Sequence, residues 1–263
     1  MKILITGNKG FIGQNMVNRL NHTFSLYGYE LNSNDLPDVR GMDKVIHFGA
    51  ISSTTERDVD KIINVNLEFS RWLYEECCKH GVHFQYSSSA SVYGQTQHFT
   101  EDGPLRPESP YAWSKYLFDR WLWHEKVAHP ITVQGFRYFN VYGQHEDHKG
   151  DQASPIHKFA KQIKETGKLK LFEESENFWR DFVCVDDVVD IVLNNDKPSG
   201  IYDLGTSNPI TFQEVGELVA EKYNGTIEYI PFPEHLEGKY QDYTCAKKEW
   251  DYKFTTVKEY LQL

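Results

Sequence analysis

Lys2-Ile3-Leu4-Ile5-Thr6 is a short β-branched run that stops at Gly7, and the spacing Gly7-x-x-Gly10-x-x-Gly13 follows at once. A continuous apolar run of this length reads as a strand buried on both faces. Phe11 to Leu20 then has the apolar spacing of a helix. Glycines between a first strand and a first helix permit a tight turn, close approach of a ligand's phosphates to the backbone, and close helix–strand packing. The helix start aims N–H groups at such phosphates. Few folds begin this way, and the rest of the chain continues the pattern. Strands are expected at 24–30, 44–48, 82–86 and 131–136, with helices at 59–79 and 111–127. Strands alternating with helices imply a parallel sheet covered on both faces.

The expected fold class is therefore α/β: a Rossmann-like, doubly wound parallel sheet with a small C-terminal substrate-binding lobe. Residues 1–150 would be mainly the dinucleotide-binding domain and 151–263 mainly the substrate lobe, with some segments returning to the sheet. In the late segments, helices are expected at 154–166, 186–193 and 211–223, and strands at 201–204 and 226–231. Thr211 with Glu214 three residues on has capping-box spacing. One unit is missing. Only 13 residues separate Glu30 from Lys44, too few for a crossover helix and a further strand. The sheet should lack one edge βα unit, leaving the second strand exposed and the adenine pocket thin.

The chain has 40% hydrophobic residues and a net charge of -10. That balance suits a packed core and argues against nucleic acid, whose phosphates need clustered Lys and Arg. Cys77, Cys78, Cys184 and Cys245 have no CxxC spacing, so reduced thiols in a cytoplasmic protein are expected, without zinc or disulfides. No basic segment leads into an apolar stretch at the start, and no membrane partner is expected.

Two further motifs carry chemistry. Ser87-Ser88-Ser89 closes one strand, and Tyr111-Ala112-Trp113-Ser114-Lys115 opens the helix after it. Oxidising a secondary alcohol requires removing its O–H proton. Tyr111 is a poor base at neutral pH unless a nearby ammonium favours tyrosinate. Lys115, four residues on, shares its helix face and can also hold the nicotinamide ribose. Ser89 can hydrogen-bond and position the substrate oxygen. Taken singly these residues have bland readings, because serines mark turns and a Tyr–Lys pair is common. The cofactor-binding set is Gly7, Gly10, Phe11, Ile12, Gly13, Lys115 and Glu30, whose carboxylate ends the second strand and would bind the adenosine ribose. Glu30 favours NAD, while Lys9 or Arg40 would favour NADP.

With these motifs the chain resembles the extended short-chain dehydrogenase/reductase family of nucleotide-sugar epimerases and dehydratases. Ser52-Ser53-Thr54-Thr55-Glu56, Arg137 to Gly143, His148-Lys149-Gly150, Leu171 to Glu173, Ser175 to Phe178 and Arg180 to Val183 are similar to ADP-L-glycero-D-manno-heptose 6-epimerases. So is Tyr229 to Pro233, and the resemblance covers nearly the whole chain. It implies a tightly held NADP or NAD that takes hydride from a carbinol carbon and returns it to the opposite face. Such a reaction needs a second acid/base group, and Lys149 matches it. Ser53, Asn140, Phe172, Arg180 and Tyr240 match substrate-binding positions, Arg180 gripping the diphosphate. Gln144 and Asp151-Gln152 depart from the family's usual residues. His145 to His148 read as a solvated loop, and no metal is expected. The expected partners are a nucleotide-sugar substrate and further copies of the chain in a homo-oligomer. Two other functions fit the motifs: a UDP-sugar 4-epimerase or related reductase, and a non-catalytic dinucleotide-binding module.

Overall fold

The computed structural model describes residues 1–20, 25–29, 36–95, 99, 104–123, 129–236 and 243–263. Its contacts divide into two compact units. The first comprises Met1–Gly94, Pro104–Tyr138 and Val189–Tyr202; the second comprises Gln95–Gly103, Phe139–Val188 and Asp203–Leu263. The division falls after Tyr138, and 189–202 returns to the first unit.

The first unit opens with β1 (Lys2–Thr6), α1 (Phe11–Leu20), β2 (Ser25–Tyr29) and β3 (Lys44–His47). It continues with α2 (Val59–Ile62), α3 (Phe69–His80), β4 (His83–Ser89), α4 (Pro110–Trp123) and β5 (Val133–Tyr138). Strands β2, β1, β3, β4 and β5 pair in parallel in that order. A sixth strand, Gly200–Leu204, completes the order beyond β5. Ile3, Leu4 and Ile5 are at most 3% exposed, as a strand covered on both faces requires. The chain leaves β1 in one direction for β2 and returns on its other side as β3, so β1 and β3 flank the switch point of a doubly wound sheet. Among the described residues no helix or strand lies between Tyr29 and Lys44, and β2 ends the sheet. Among the described residues there is no edge βα unit, in line with the short spacing.

The helix expected at 59–79 is interrupted. Residues Ile63–Glu68 form a π-helical turn between α2 and α3. The wider turn carries Asn66 inward, to 1% exposure, where its side chain has partners that a regular helix would place elsewhere. Helix α3 ends at Gly81 with φ 67°, a left-handed cap suited to glycine. Leu73, Cys77, Phe84, Phe118 and Val133 form the core between α3, α4 and the sheet.

The second unit holds β6 (Asn140–Tyr142), α5 (Pro155–Thr166), β7 (Lys168–Phe172), β8 (Trp179–Arg180) and β9 (Phe182–Cys184). It also takes the first turn of α6 (Val185–Asn194). After β10 (Gly200–Leu204) come β11 (Ile210–Thr211), α7 (Phe212–Tyr223), β12 (Thr226–Ile230) and α8 (Val257–Leu261). Strands β7 and β12 run parallel, as do β6 and β9. Ile156, Ile163, Leu169, Leu171, Val215 and Val219 close its core. Thr211 and Glu214 form the expected capping box on α7.

Candidate active site

The glycine turn stands where β1 gives way to α1. Gly7 has φ 70°, a conformation that side chains strain. Its carbonyl accepts the Gly10 N–H at 3.0 Å. A Cβ on Gly7 would lie 2.7 Å from the Gly49 nitrogen, and one on Gly13 would overlap the Gly7 carbonyl oxygen. The first turn of α1 carries no acid, so its N–H groups would meet a phosphate without a competing carboxylate. This cradle fits the pyrophosphate of a dinucleotide. Glu30 lies outside the described residues. Arg40 forks onto Asp38, with both contacts at 2.8 Å.

Ser89 ends β4, and its hydroxyl accepts the Ser91 N–H at 3.2 Å, capping a short 3-10 turn. One turn apart on α4, Tyr111 and Lys115 face that strand end. Lys115 is 6% exposed. Its Nζ donates to the Ser87 carbonyl at 2.8 Å and stands 6.0 Å from the Tyr111 ring centroid. Ser89, Tyr111 and Lys115 are thus brought together. Their electrostatics differ from the expectation in one respect. Burial pushes the Tyr111 phenol up, and the opposing influence is a hydrogen bond from Ser89 rather than the Lys115 charge. The ammonium is turned to the Ser87 carbonyl instead. Burial also brings Lys115 down to about 8, against the pull of Asp119.

Sequence reasoning missed a buried relay that joins the turn to the Tyr111 helix. The Gly49 N–H donates to the Thr6 hydroxyl at 3.1 Å. Thr6 Oγ1 lies 2.6 Å from His47 Nδ1, and His47 Nε2 lies 2.8 Å from Ser70 Oγ. Ser70 donates to the Asn66 carbonyl at 2.7 Å. Because Ser70 spends its hydrogen there, it must accept from His47, which fixes the neutral Nε2–H tautomer. Burial and the Lys115 charge hold His47 at about 3, consistent with a neutral ring. The Asn66 side chain bonds both backbone groups of Ile51, at 2.8 and 3.0 Å, and donates to Ser114 Oγ at 2.9 Å. Ser114 donates to the Tyr111 carbonyl at 2.7 Å. Beneath Lys115, Asp119 accepts from Tyr86 and Ser88 at 2.9 Å each, and Arg137 Nε lies 3.3 Å from it.

Ser53 is half-buried just before a turn, its hydroxyl 2.9 Å from that of Thr55.

In the second unit, the loop 143–154 carries Lys149. Glu146, expected in a solvated loop, is 1% exposed and Lys149 Nζ stands 3.6 Å from it. Burial pushes the Lys149 ammonium down, with Glu146 opposing. Asn140 pairs through its backbone N–H with the Asp181 carbonyl at 3.0 Å. Phe172 ends β7, its ring 5.4 Å from that of Phe232. Arg180 is 8% exposed, lies over the Phe212 ring and donates to the Trp179 carbonyl. Asp181 accepts from Thr206, Ser207 and Ala246. Tyr240 lies outside the described residues. Nothing in the spacing of Asn66, His47 or Glu146 marked them; a buried polar residue announces itself only through its partners.

Comparison with known proteins shows the family and the fold. Residues 3–205 match the NAD dependent epimerase/dehydratase family. The chain is 38% identical over 282 aligned positions to ADP-L-glycero-D-manno-heptose-6-epimerase of Alkalilimnicola ehrlichii, covering 93% of this chain and 88% of that protein. The crystal structure of the Helicobacter pylori ADP-L-glycero-D-manno-heptose-6-epimerase superposes with a TM-score of 0.79 at 25% identity, over 99% of this chain and 94% of that one. A Thermus thermophilus UDP-glucose 4-epimerase in complex with NAD gives 0.73 at 27% identity, over 89% and 86%.

Proposed function

Because this chain belongs to the NAD dependent epimerase/dehydratase family, we propose that it is a nucleotide-sugar epimerase inverting C6 of an ADP-glycero-manno-heptose. The observation that carries the reading is the assembly of Ser89, Tyr111 and Lys115 at the end of β4, tied by one buried relay to the glycine turn. The turn and Lys115 would hold a nicotinamide dinucleotide, which when bound supplies the hydride chemistry. Ser89 orients the sugar hydroxyl, and Tyr111 takes its proton as the carbinol becomes a transient carbonyl. Lys115 steadies the developing negative charge and the ribose hydroxyls. Return of the hydride to the other face demands a proton donor there, and Lys149 takes that role. Arg180 binds the diphosphate, with Asn140, Phe172, Ser53 and Tyr240 around the sugar.

The glycine turn and Lys115 would hold NAD or NADP through turnover, so none would be consumed. The enzyme works as a homo-oligomer. Trp113 and Leu117, exposed on one face of α4, are the apolar surface that a second copy would cover. Among the described residues no helix is long and apolar enough to cross a membrane.

The test is incubation of purified protein with ADP-D-glycero-D-manno-heptose without added cofactor, following the C6 epimer by proton NMR. Conversion that disappears in Tyr111→Phe supports the reading and excludes a non-catalytic module. Absence of conversion, with turnover of UDP-glucose instead, favours the UDP-sugar 4-epimerase that the Thermus likeness supports. Lys149→Ala separates the two, because only the heptose reaction depends on it.

A further inference from the structure

We propose that Glu146 is the positioning residue for Lys149: its buried carboxylate ties the 143–154 loop shut and holds the ammonium in one place. The inference rests on the reading of Lys149 as the second acid/base group. Glu146 Oε1 accepts the Gly143 N–H at 3.0 Å and the Ser154 hydroxyl at 2.7 Å. Oε2 accepts the Ser154 N–H at 2.6 Å and faces Lys149 Nζ at 3.6 Å. The Lys149 N–H donates to the Glu146 carbonyl at 2.9 Å, so backbone and side chain are both fastened to one residue.

The physical logic is that of a tether. A carboxylate at 1% exposure needs these donors in place of the water it has lost. Gly143 opens the loop and Ser154 closes it, so the one carboxylate joins the two ends. Ser154 then caps α5 by accepting the His157 N–H, which fixes the far end to a helix. Lysine carries one of the largest rotamer entropies of any side chain. Holding its head beforehand leaves less freedom to lose when the reaction needs it. The same contact controls its charge. Burial and Lys158 of α5 push the Lys149 ammonium down, and Glu146 opposes both. An untethered Lys149 would be mobile and more often neutral.

The full-length protein tests this by competitive acetylation with acetic anhydride at fixed pH, reading Lys149 by peptide mass spectrometry. Glu146→Gln should raise the labelling of Lys149 by roughly tenfold, because loss of an adjacent opposite charge frees the neutral amine. Glu146→Asp should restore most of the protection. In the same variants, the limb of the epimerisation pH profile that Lys149 sets should move to lower pH in Glu146→Gln. A merely structural role would lower the rate at every pH and leave the limb in place; that result, or unchanged labelling, overturns the proposal. If Glu146→Gln does not fold, Ser154→Ala removes one donor and keeps the charge. Lys149 labelling should then rise above the wild-type level as the loop loosens, and unchanged labelling overturns the tether. Labelling reads the tether whether or not Lys149 is catalytic, and Lys149→Ala reads catalysis whether or not Glu146 holds it.

Discussion

Alanine at three glycines of one turn should separate packing from ligand binding. A Cβ at Gly13 would overlap the Gly7 carbonyl oxygen and stand 2.9 Å from Asn8 Cα. Both obstacles are backbone, so α1 must move away from the turn. Overpacking of this kind costs about 3 kcal/mol, which for a chain of this size lowers Tm by roughly 6–12 °C. At Gly7 the conformation itself is strained, with φ 70°, and the new Cβ would meet Gly49 and Phe48 backbone at 2.7–2.9 Å. Its cost should be similar. At Gly10 the Cβ would meet only the Gly7 carbonyl oxygen, at 3.2 Å, a contact relieved by a few tenths of an ångström. Gly10→Ala should therefore change stability by less than about 1 kcal/mol. If the turn is a pyrophosphate cradle, however, that methyl stands where phosphate oxygens approach the backbone, and dinucleotide affinity should drop at least tenfold, about 1.4 kcal/mol. Thermal unfolding of each variant, with calorimetric titration of NAD and NADP into protein stripped of cofactor, reads both quantities. Equal destabilisation by Gly10→Ala and Gly13→Ala would refute the packing argument. Unchanged affinity in Gly10→Ala would refute the cradle.

Lys115, brought down to about 8 by burial, should impose an alkaline limb on activity as its charge is lost. Asp119 favours the ammonium, so Asp119→Asn should move that limb to lower pH; an unmoved limb assigns it to another group. His47 is held at about 3 while an unfolded histidine takes a proton near its ordinary 6.5. The unfolded chain thus binds the extra proton first, and stability should fall as pH drops from 6.5 towards 3, by at most roughly 5 kcal/mol. His47→Gln should flatten the pH dependence of urea unfolding across that window, and a slope that persists places the titration elsewhere. Asn66→Ala leaves the Ile51 N–H and carbonyl without the amide and takes one donor from the Ser114 hydroxyl, and should cost about 2–4 kcal/mol in urea unfolding; a loss below about 0.5 kcal/mol would mean that solvent replaces the amide.

What could be read from sequence was local. β1, the glycine turn and α1 lie within twenty consecutive residues, and each depends on its own spacing. The capping box of Thr211 and Glu214 needs only three residues. Tyr111 and Lys115 share a face by helical geometry alone. The rest depended on partners far along the chain. Asn66 meets Ser114 across 48 residues, and Thr6 meets His47 across 41. No periodicity encodes those pairs, so a helix was expected to run straight through Ile63–Glu68, where a π-helical turn stands. Glu146 was misplaced for the same reason. Its neighbours Asp147 and His148 are polar, and Gly143 and Ser154 close over its carboxylate from the two ends of the loop.

The relay also bears on the missing edge unit. The path from the glycine turn to Tyr111 runs through Thr6 of β1, His47 of β3, Ser70 of α3, Asn66 of the π-helical turn and Ser114 of α4. Every one of those elements lies on the β3 side of β1 or belongs to β1 itself. The shortening falls on the other side, beyond β2, where the sheet ends. Strand β2 contributes pairing to β1 but no link in the relay. A chain can therefore lose the edge βα unit while keeping the placement of its turn, its neutral His47 and its Tyr111 helix. The shortening should weaken contacts to the adenosine end of a dinucleotide and leave the geometry of proton transfer in place.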